Sequence, residues 1–274
     1  MMIKSILLWL FSFILLLGGT KQCTVTMGYK PKPKEPYIFA DNSGIYQDIY
    51  GEALKRIGCK LKIVRLPKLR IIQEMKRGTI GFYPGFGFTQ ERANYAFFIP
   101  SHIDHSKVLV TRKSYPMVES IEKLISLKPT LLKEIGGYSV LEGLPTKRFE
   151  TTGINISKKM QLLLKQRIDA FGYPLKTVEY YLKKHPTKIP EVYINRDFFK
   201  KMHRMHTLGF SRFSKYYDEK SSGYYDPALP VSQSNMPTVL DEHSIAYKFA
   251  KMLETMDQEG RIEQIYNHYR LEVE

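Results

Sequence analysis

The chain has 274 residues, which is enough for two small domains or one large one. Its contents of 43% hydrophobic and 25% charged residues are typical of a globular protein and exclude a disordered one. The net charge of +15 is compatible with nucleic acid, an anionic membrane surface or an acidic ligand as a partner. The lysines are spread along the chain, so a solvated basic surface is the simpler interpretation, and we expect no nucleic acid partner.

The first 20 residues differ from the rest of the chain. Lys4 precedes an apolar run over 6–17, and small residues follow at 18–20. This order is typical of a secretory signal peptide, and the run is short for a bilayer span, although an uncleaved N-terminal anchor has a similar pattern. The residues before Cys23 do not fit a lipidation motif. We therefore predict a signal peptide over 1–20 and a periplasmic mature protein.

Strand and helix patterns then alternate along the chain. Apolar runs predict strands, and apolar residues at helical spacing predict helices, in the order 24–27 (strand), 45–54 (helix), 60–64 (strand), 69–77 (helix) and 79–83 (strand). This order is typical of a parallel α/β sheet, in which ligands bind at the carboxyl ends of the strands. Arg70 lies where the second strand meets the next helix, so it is a candidate ligand contact, and a surface role fits it equally well.

The stretch 76–100 carries the strongest functional signal. After the short strand, a glycine-rich turn over 84–88 leads to Thr89, which has the character of a helix N-cap. Such a turn presents backbone N–H groups to an anion, and Arg92 adds a guanidinium that can hold a carboxylate through two hydrogen bonds. An ordinary strand-turn-helix connection with a surface arginine has the same spacing.

This stretch resembles the first-domain signature of the bacterial extracellular solute-binding proteins of the polar amino acid class. The resemblance implies a two-lobed α/β fold of the type II periplasmic binding protein kind, with a parallel-rich sheet flanked by helices in each lobe. It also implies that a small anionic or amino-acid-like ligand binds between the lobes, for an ABC-type permease or a sensor. Arg92 would hold the α-carboxylate, and Gly85, Phe86 and Thr89 would form the turn beside it. Gly87 replaces a hydroxyl residue common in the family, so one ligand contact is missing.

The resemblance covers nearly the whole mature chain and implies its division into lobes. Residues 21–110 would begin lobe 1, residues 111–206 would form lobe 2, and residues 207–274 would return to lobe 1 and end in two helices. In this fold the strands that follow Cys23 and Cys59 are parallel neighbours, which implies a disulfide that spacing alone leaves open.

Further ligand contacts are implied in both lobes. Tyr37 lies in a Pro-aromatic segment that places a ring against the ligand, although a core position fits it equally well. In lobe 2 we predict strands at 106–112, 138–141 and 168–172 and helices over 157–166 and 177–184, and helical character over 122–135 that Pro129 breaks. The end of the 138–141 strand implies ligand contacts at Gly143 and Thr146.

One absence in lobe 2 bears on the ligand. The segment Asp169-Ala170 resembles a family pattern that is followed, a few residues later, by an acid that pairs with the ligand's ammonium. This chain has Tyr173 in that neighbourhood instead. The sequence therefore predicts a carboxylate ligand that is not a standard α-amino acid, or one whose amine is neutral, modified or met by another residue such as Glu142.

Motifs for catalysis and metal binding are scarce. His203 and His206 could face one way on a helix, but no third ligand is spaced to complete a zinc site, and no cofactor motif is present. An enzyme on the same scaffold, of the dehydratase or cell-wall lyase type, is the alternative, with Glu142 as its acid or base. We expect a monomeric binding protein. The polar segment 214–242 is interpreted as a long loop that either covers the cleft or is mobile.

Overall fold

The computed structural model describes residues 23–104, 106–135, 141, 144–152, 154–200 and 206–269. These residues form two five-stranded sheets of mixed direction, each flanked by helices, which confirms the predicted two-lobed α/β fold. The predicted signal peptide, Glu142, Gly143 and His203 lie outside the described residues.

Lobe 1 begins with four strands and three helices, in the order β1 (Cys23–Tyr29), α1 (Ile45–Arg56), β2 (Cys59–Arg65), α2 (Lys68–Lys76), β3 (Phe82–Pro84), α3 (Gln90–Ala93) and β4 (Ala96–Pro100). Lobe 2 follows with β5 (Lys107–Arg112), α4 (Ile121–Ser126), β6 (Thr130–Ile135), β7 (Lys147–Thr152), α5 (Ile156–Leu164), β8 (Ala170–Pro174), α6 (Leu175–Lys184), a 3₁₀ helix (Pro186–Glu191) and β9 (Val192–Asn195). The chain then returns to lobe 1 with β10 (Thr207–Ser211), β11 (Glu219–Ser221), β12 (Thr238–Leu240), α7 (Ile245–Gln258) and α8 (Arg261–His268).

The first sheet has the strand order β2-β1-β3-β10-β4. Strands β1, β2 and β3 are parallel, so their carboxyl ends meet at one edge, and β10 runs antiparallel and starts at that edge. Cys23 pairs with Cys59 at the opposite end of β1 and β2, and the two cysteines form the predicted disulfide. The core lies where α1 and α7 cover the sheet, with the ring of Phe82 5.3 Å from the rings of Tyr50 and of Phe249.

The second sheet has the strand order β7-β6-β8-β5-β9. Strands β6, β7 and β8 are parallel, and Lys107 at the start of the antiparallel β5 lies opposite Pro174 at the end of β8. The Asp169 carboxylate accepts hydrogen bonds from the Arg112 guanidinium (2.7 Å) and from the Thr130 backbone N–H (2.8 Å). Asp169 therefore joins the amino ends of neighbouring strands and has a structural role.

One prediction in lobe 2 is wrong in its second half. The predicted helix 122–135 ends at Ser126, and the strand β6 occupies 130–135, because Pro129 cannot continue a helix and an apolar segment follows it. Of the strand predicted at 138–141, only the last residue, Leu141, is described, and it lies in a turn. Residues 138–140 lie outside the described residues. Strand β5 starts at Lys107. We call the segment 101–106, between β4 and β5, the first crossing between the lobes, and the segment 196–206, between β9 and β10, the second crossing.

The segment 214–242 does not cover the cleft. It follows the end of β10, at the edge of lobe 1 opposite the carboxyl ends of the parallel strands. There β11 and β12 form a hairpin, and the Tyr216 hydroxyl accepts a hydrogen bond from the Thr24 backbone N–H (3.0 Å). The Glu219 carboxylate accepts hydrogen bonds from the side chains of Arg212, Tyr217 and Thr238.

Candidate functional site

The candidate site is the cleft between the lobes, which we define as the space between the carboxyl ends of β1–β3 and those of β6 and β8. Contacts on one side hold the two lobes together. The Lys184 ammonium on α6 pairs with Glu35 of lobe 1 (3.1 Å), and the Tyr180 ring lies 5.7 Å from that of Phe39. The Leu175 N–H donates to the Ser106 carbonyl (2.8 Å), which ties the start of α6 to the first crossing.

Arg92 lies over the predicted glycine-rich turn. The Thr89 hydroxyl caps α3 by accepting a hydrogen bond from the Arg92 N–H (3.2 Å). The guanidinium donates to the Gly87 carbonyl (2.8 Å), and its central carbon lies 4.4 Å from the centroid of the Phe86 ring. A guanidinium has more N–H donors than these contacts use, so Arg92 is held in one orientation and can still receive a carboxylate.

Gly85 is required by its backbone conformation and by a close neighbour. Its φ angle is +67°, which glycine adopts without the cost that a side chain brings. A Cβ atom at this position would lie 3.2 Å from Nε2 of His206. The turn therefore packs directly against the second crossing between the lobes, which His206 ends.

The structure places Tyr37 and Arg70 differently from Arg92. The Tyr37 side chain is fully buried, its ring lies 5.5 Å from that of Tyr46, and its hydroxyl donates to the Asp104 carbonyl (3.2 Å). Arg70 is exposed on α2 and pairs with Glu74 one turn later (2.9 Å). The geometry favours a core role for Tyr37 and a surface role for Arg70.

In lobe 2 the strand register places Tyr173 and Thr146 at opposite ends of the sheet. Tyr173 lies near the end of β8 and close to Tyr29 at the end of β1: burial raises the pKa of the Tyr29 phenol, and Tyr83 and Tyr173 raise it further. Thr146 directly precedes Lys147, which pairs with Thr130 at the start of β6. Thr146 therefore lies at the amino ends of the strands, away from the cleft.

Arg65 at the end of β2 is a residue that the sequence analysis missed. Its guanidinium donates to Oδ1 of Asn42 (2.7 Å), to the Lys30 carbonyl (2.9 Å) and to the Phe39 carbonyl (2.5 Å). Arg65 thus anchors both ends of the loop over 30–42 at the cleft edge. Its position at a strand's carboxyl end is a signal that could have identified it.

Several basic side chains lie near the two crossings. Burial, together with the ammonium groups of Lys30 and Lys107, lowers the pKa of Lys34 to about 7. Burial, with Lys34 and Lys107, also lowers the pKa of His206 to about 3. The Nδ1 atom of His206 lies 2.6 Å from the Ser101 hydroxyl, so the neutral ring is tied to the first crossing.

The low pKa of His206 predicts a loss of stability in acid. Because its pKa is about 6.5 in the unfolded chain and about 3 in the folded protein, the unfolded chain binds more protons between these values. We expect the free energy of unfolding to fall by roughly 2–3 kcal/mol from this group between pH 7 and pH 4, allowing for partial exposure of the ring. Urea unfolding at both pH values would measure it. His206→Asn should lose correspondingly less, and an identical loss in both proteins would contradict the assignment.

Comparison with known proteins identifies the family of this chain. Residues 25–272 match the bacterial extracellular solute-binding proteins, family 3. The chain belongs to this family. Among curated protein sequences none matches the chain.

Solved structures of solute-binding proteins share the fold at low sequence identity. The substrate-binding protein of an amino acid ABC transporter has a TM-score of 0.63 and 17% identity, over 90% of this chain and 98% of that one. An ancestral arginine-binding protein bound to glutamine has a TM-score of 0.60 and 20% identity, over 90% and 97%. An amino acid ABC transporter substrate-binding protein from Streptococcus pneumoniae, bound to L-arginine, has a TM-score of 0.63 and 14% identity, over 90% and 93%.

Membership of this solute-binding family gives the chain its class. It is a solute-binding protein of a family that acts outside the cytoplasm. Across the described residues, no group of three or more His, Cys, Asp or Glu side chains could hold a metal ion. None of the helices in the described ranges is long and apolar enough to cross a membrane.

Proposed function

We propose that this solute-binding protein captures a small carboxylate between its lobes and delivers it to an ABC-type permease or a sensor. The observation that carries the proposal is the position of Arg92, held by Phe86 and Gly87 over a turn that reaches the second crossing. Closure of two lobes around a ligand is a known transition of such folds.

The ligand is proposed to lack an α-ammonium that needs an acidic partner. Strand β8 ends in Tyr173 and Pro174, neither of which supplies a carboxylate. The nearby Glu35 is engaged by Lys184 (3.1 Å), and Asp104 accepts a hydrogen bond from the Ser106 N–H (2.7 Å). Burying an unpartnered ammonium costs several kcal/mol, which would remove most of a micromolar affinity. The arginine and glutamine bound by the structural neighbours are therefore not the expected ligands.

A calorimetric and thermal-shift panel tests this proposal. Standard amino acids would be compared with keto, hydroxy and dicarboxylic acids of the same carbon count. We expect acids without an α-ammonium to bind at least tenfold more tightly than the matched amino acids. Tight binding of an ordinary amino acid that survives the loss of Arg92 would contradict it.

Export with removal of residues 1–20 is a further part of the proposal, supported by the charged and apolar pattern of this segment. Trp9, the only tryptophan, lies within it. Protein purified from the periplasm should therefore show tyrosine fluorescence when tyrosine is excited. It should show no tryptophan emission when it is excited at the longer wavelengths that only tryptophan absorbs. Tryptophan emission from that material would contradict cleavage.

A further inference from the structure

The positive charge of the chain is concentrated in lobe 2. Residues 107–195, from β5 to β9, hold 16 Lys and Arg residues and 8 Asp and Glu residues, so this segment carries +8 of the total net charge of +15. A charge excess of this size affects association with anionic partners rather than the fold. The place where these charges collect therefore bears on what lobe 2 binds.

Five exposed basic residues lie along one edge of the second sheet. The strand register places the start of β7 beside the start of β6, and the end of β5 beside the start of β8. The residues that begin or precede β6, β7 and β8 at this edge, or that follow β5, include five exposed bases, Lys113, Lys128, Lys147, Lys165 and Arg167. We call these five residues the basic edge. Neighbouring strands are about 4.8 Å apart, so the row extends over about 15 Å from β7 to β5.

The basic edge is poorly neutralised. Asp169 and Glu191 directly precede β8 and β9, but Asp169 pairs with Arg112 (2.7 Å) and Glu191 with Lys188 (3.0 Å). No residue of the basic edge forms an ion pair with a carboxylate of the described residues. The edge therefore presents its charges to a partner.

The basic edge lies away from the cleft. The cleft is bordered by the carboxyl ends of β6 and β8, whereas the basic edge lies at the amino ends of the same strands. A partner bound there leaves the way into the cleft open. The basic edge is thus a second surface, separate from the candidate site.

The composition of the basic edge favours a lipid surface over a protein as the partner. Protein interfaces are depleted of lysine and have an apolar centre, whereas four of these five residues are lysines. The exposed large apolar residues described in this lobe lie on or beside β9, outside the row, and are Met117, Ile189 and Tyr193. A lysine ammonium is a point charge on a flexible stem, which suits the mobile phosphates of lipid headgroups.

We propose that the basic edge docks the protein on a membrane surface that contains anionic phospholipids. The contact is electrostatic and reversible, because each Lys or Arg near such a surface strengthens binding about fivefold and little apolar area is buried. Docking concentrates the protein at the membrane, which is where a permease or a sensor receives the ligand. This surface goes beyond the capture of a carboxylate and does not depend on the identity of that ligand.

Binding to vesicles tests the proposal. The mature protein would be sedimented with vesicles of phosphatidylcholine alone, and with vesicles of phosphatidylcholine and phosphatidylglycerol in equal parts. We expect binding to the mixed vesicles only. This binding should be lost when the salt concentration rises from about 0.1 M to about 1 M, because the Debye length falls from about 10 Å to about 3 Å.

Two triple variants that remove the same net charge locate the contact. The edge variant combines Lys113→Gln, Lys128→Gln and Lys147→Gln. It should bind the mixed vesicles roughly a hundredfold more weakly, at about fivefold for each lysine. The control variant combines three exposed lysines of lobe 1, Lys60→Gln, Lys62→Gln and Lys248→Gln. It should lose less than about threefold, because salt screens charges that do not face the lipid.

Each other outcome overturns the proposal. Equal losses in the two variants would mean that only the net charge matters. Absence of binding to the mixed vesicles, equal binding to phosphatidylcholine alone, or binding that survives about 1 M salt would exclude docking on anionic lipid, and these results do not depend on the folding of a variant. Binding of heparin that needs the basic edge, without binding to the mixed vesicles, would assign the edge to another polyanion. Capture of the carboxylate in the cleft is measured separately and stands or fails independently.

Discussion

Replacing Arg92 with alanine is expected to weaken carboxylate binding by about 2–5 kcal/mol, provided that the closed lobes desolvate the charge pair. The guanidinium is oriented by Gly87 and Phe86, so its contact with the ligand costs little additional ordering. Calorimetry with the tightest acid from the panel measures the loss directly.

Arg70→Ala is the matched control for this variant. Arg70 lies in the same lobe and carries the same charge, but it is exposed and engaged by Glu74 (2.9 Å). Its loss should change affinity by less than about 0.5 kcal/mol, as is usual for exposed surface substitutions. Equal effects of the two variants would mean that only the overall charge matters, and would contradict a specific role for Arg92.

Removing the disulfide is expected to have the second large effect. Cys23 and Cys59 are separated by 36 residues in sequence, and the bond links the first residues of β1 and β2. On the loop-entropy model, the double variant Cys23→Ser, Cys59→Ser should lose roughly 3–4 kcal/mol of unfolding free energy.

Denaturant unfolding of the wild type, with and without reductant, checks the size of this effect, and the double variant should be insensitive to reductant. Non-reducing peptide mapping should find the two cysteines in one linked fragment. Two free thiols in folded protein purified under oxidising conditions would contradict the bond.

The parts of the fold that the sequence predicted depend on local patterns. Ile45, Ile49 and Ala53 recur at helical spacing and are all buried in α1, as expected for the core-facing side of a helix. In lobe 2 the helical interpretation was continued to residue 135 beyond its break at Pro129, although residues 130–135 form β6. Strands β7 and β9 were missed, since neither lies in a long apolar run.

Part of the candidate site was likewise predictable from a local pattern, and part of it was not. Gly85, Thr89 and Arg92 lie within one short segment, so a single motif contains them. Lys34 and Lys107 are far apart in sequence, and each resembles an ordinary solvated lysine. The effect of Lys107 on Lys34 depends on the passage of the chain through the first crossing, which local patterns do not encode.

Native mass spectrometry of protein purified gently from the periplasm would identify a ligand that stays bound. We expect a small molecule that contains a carboxylate, is released unchanged on denaturation, and fails to copurify with Arg92→Ala. Recovery of a ligand without an anionic group, or of a chemically converted product after incubation with a candidate acid, would contradict it.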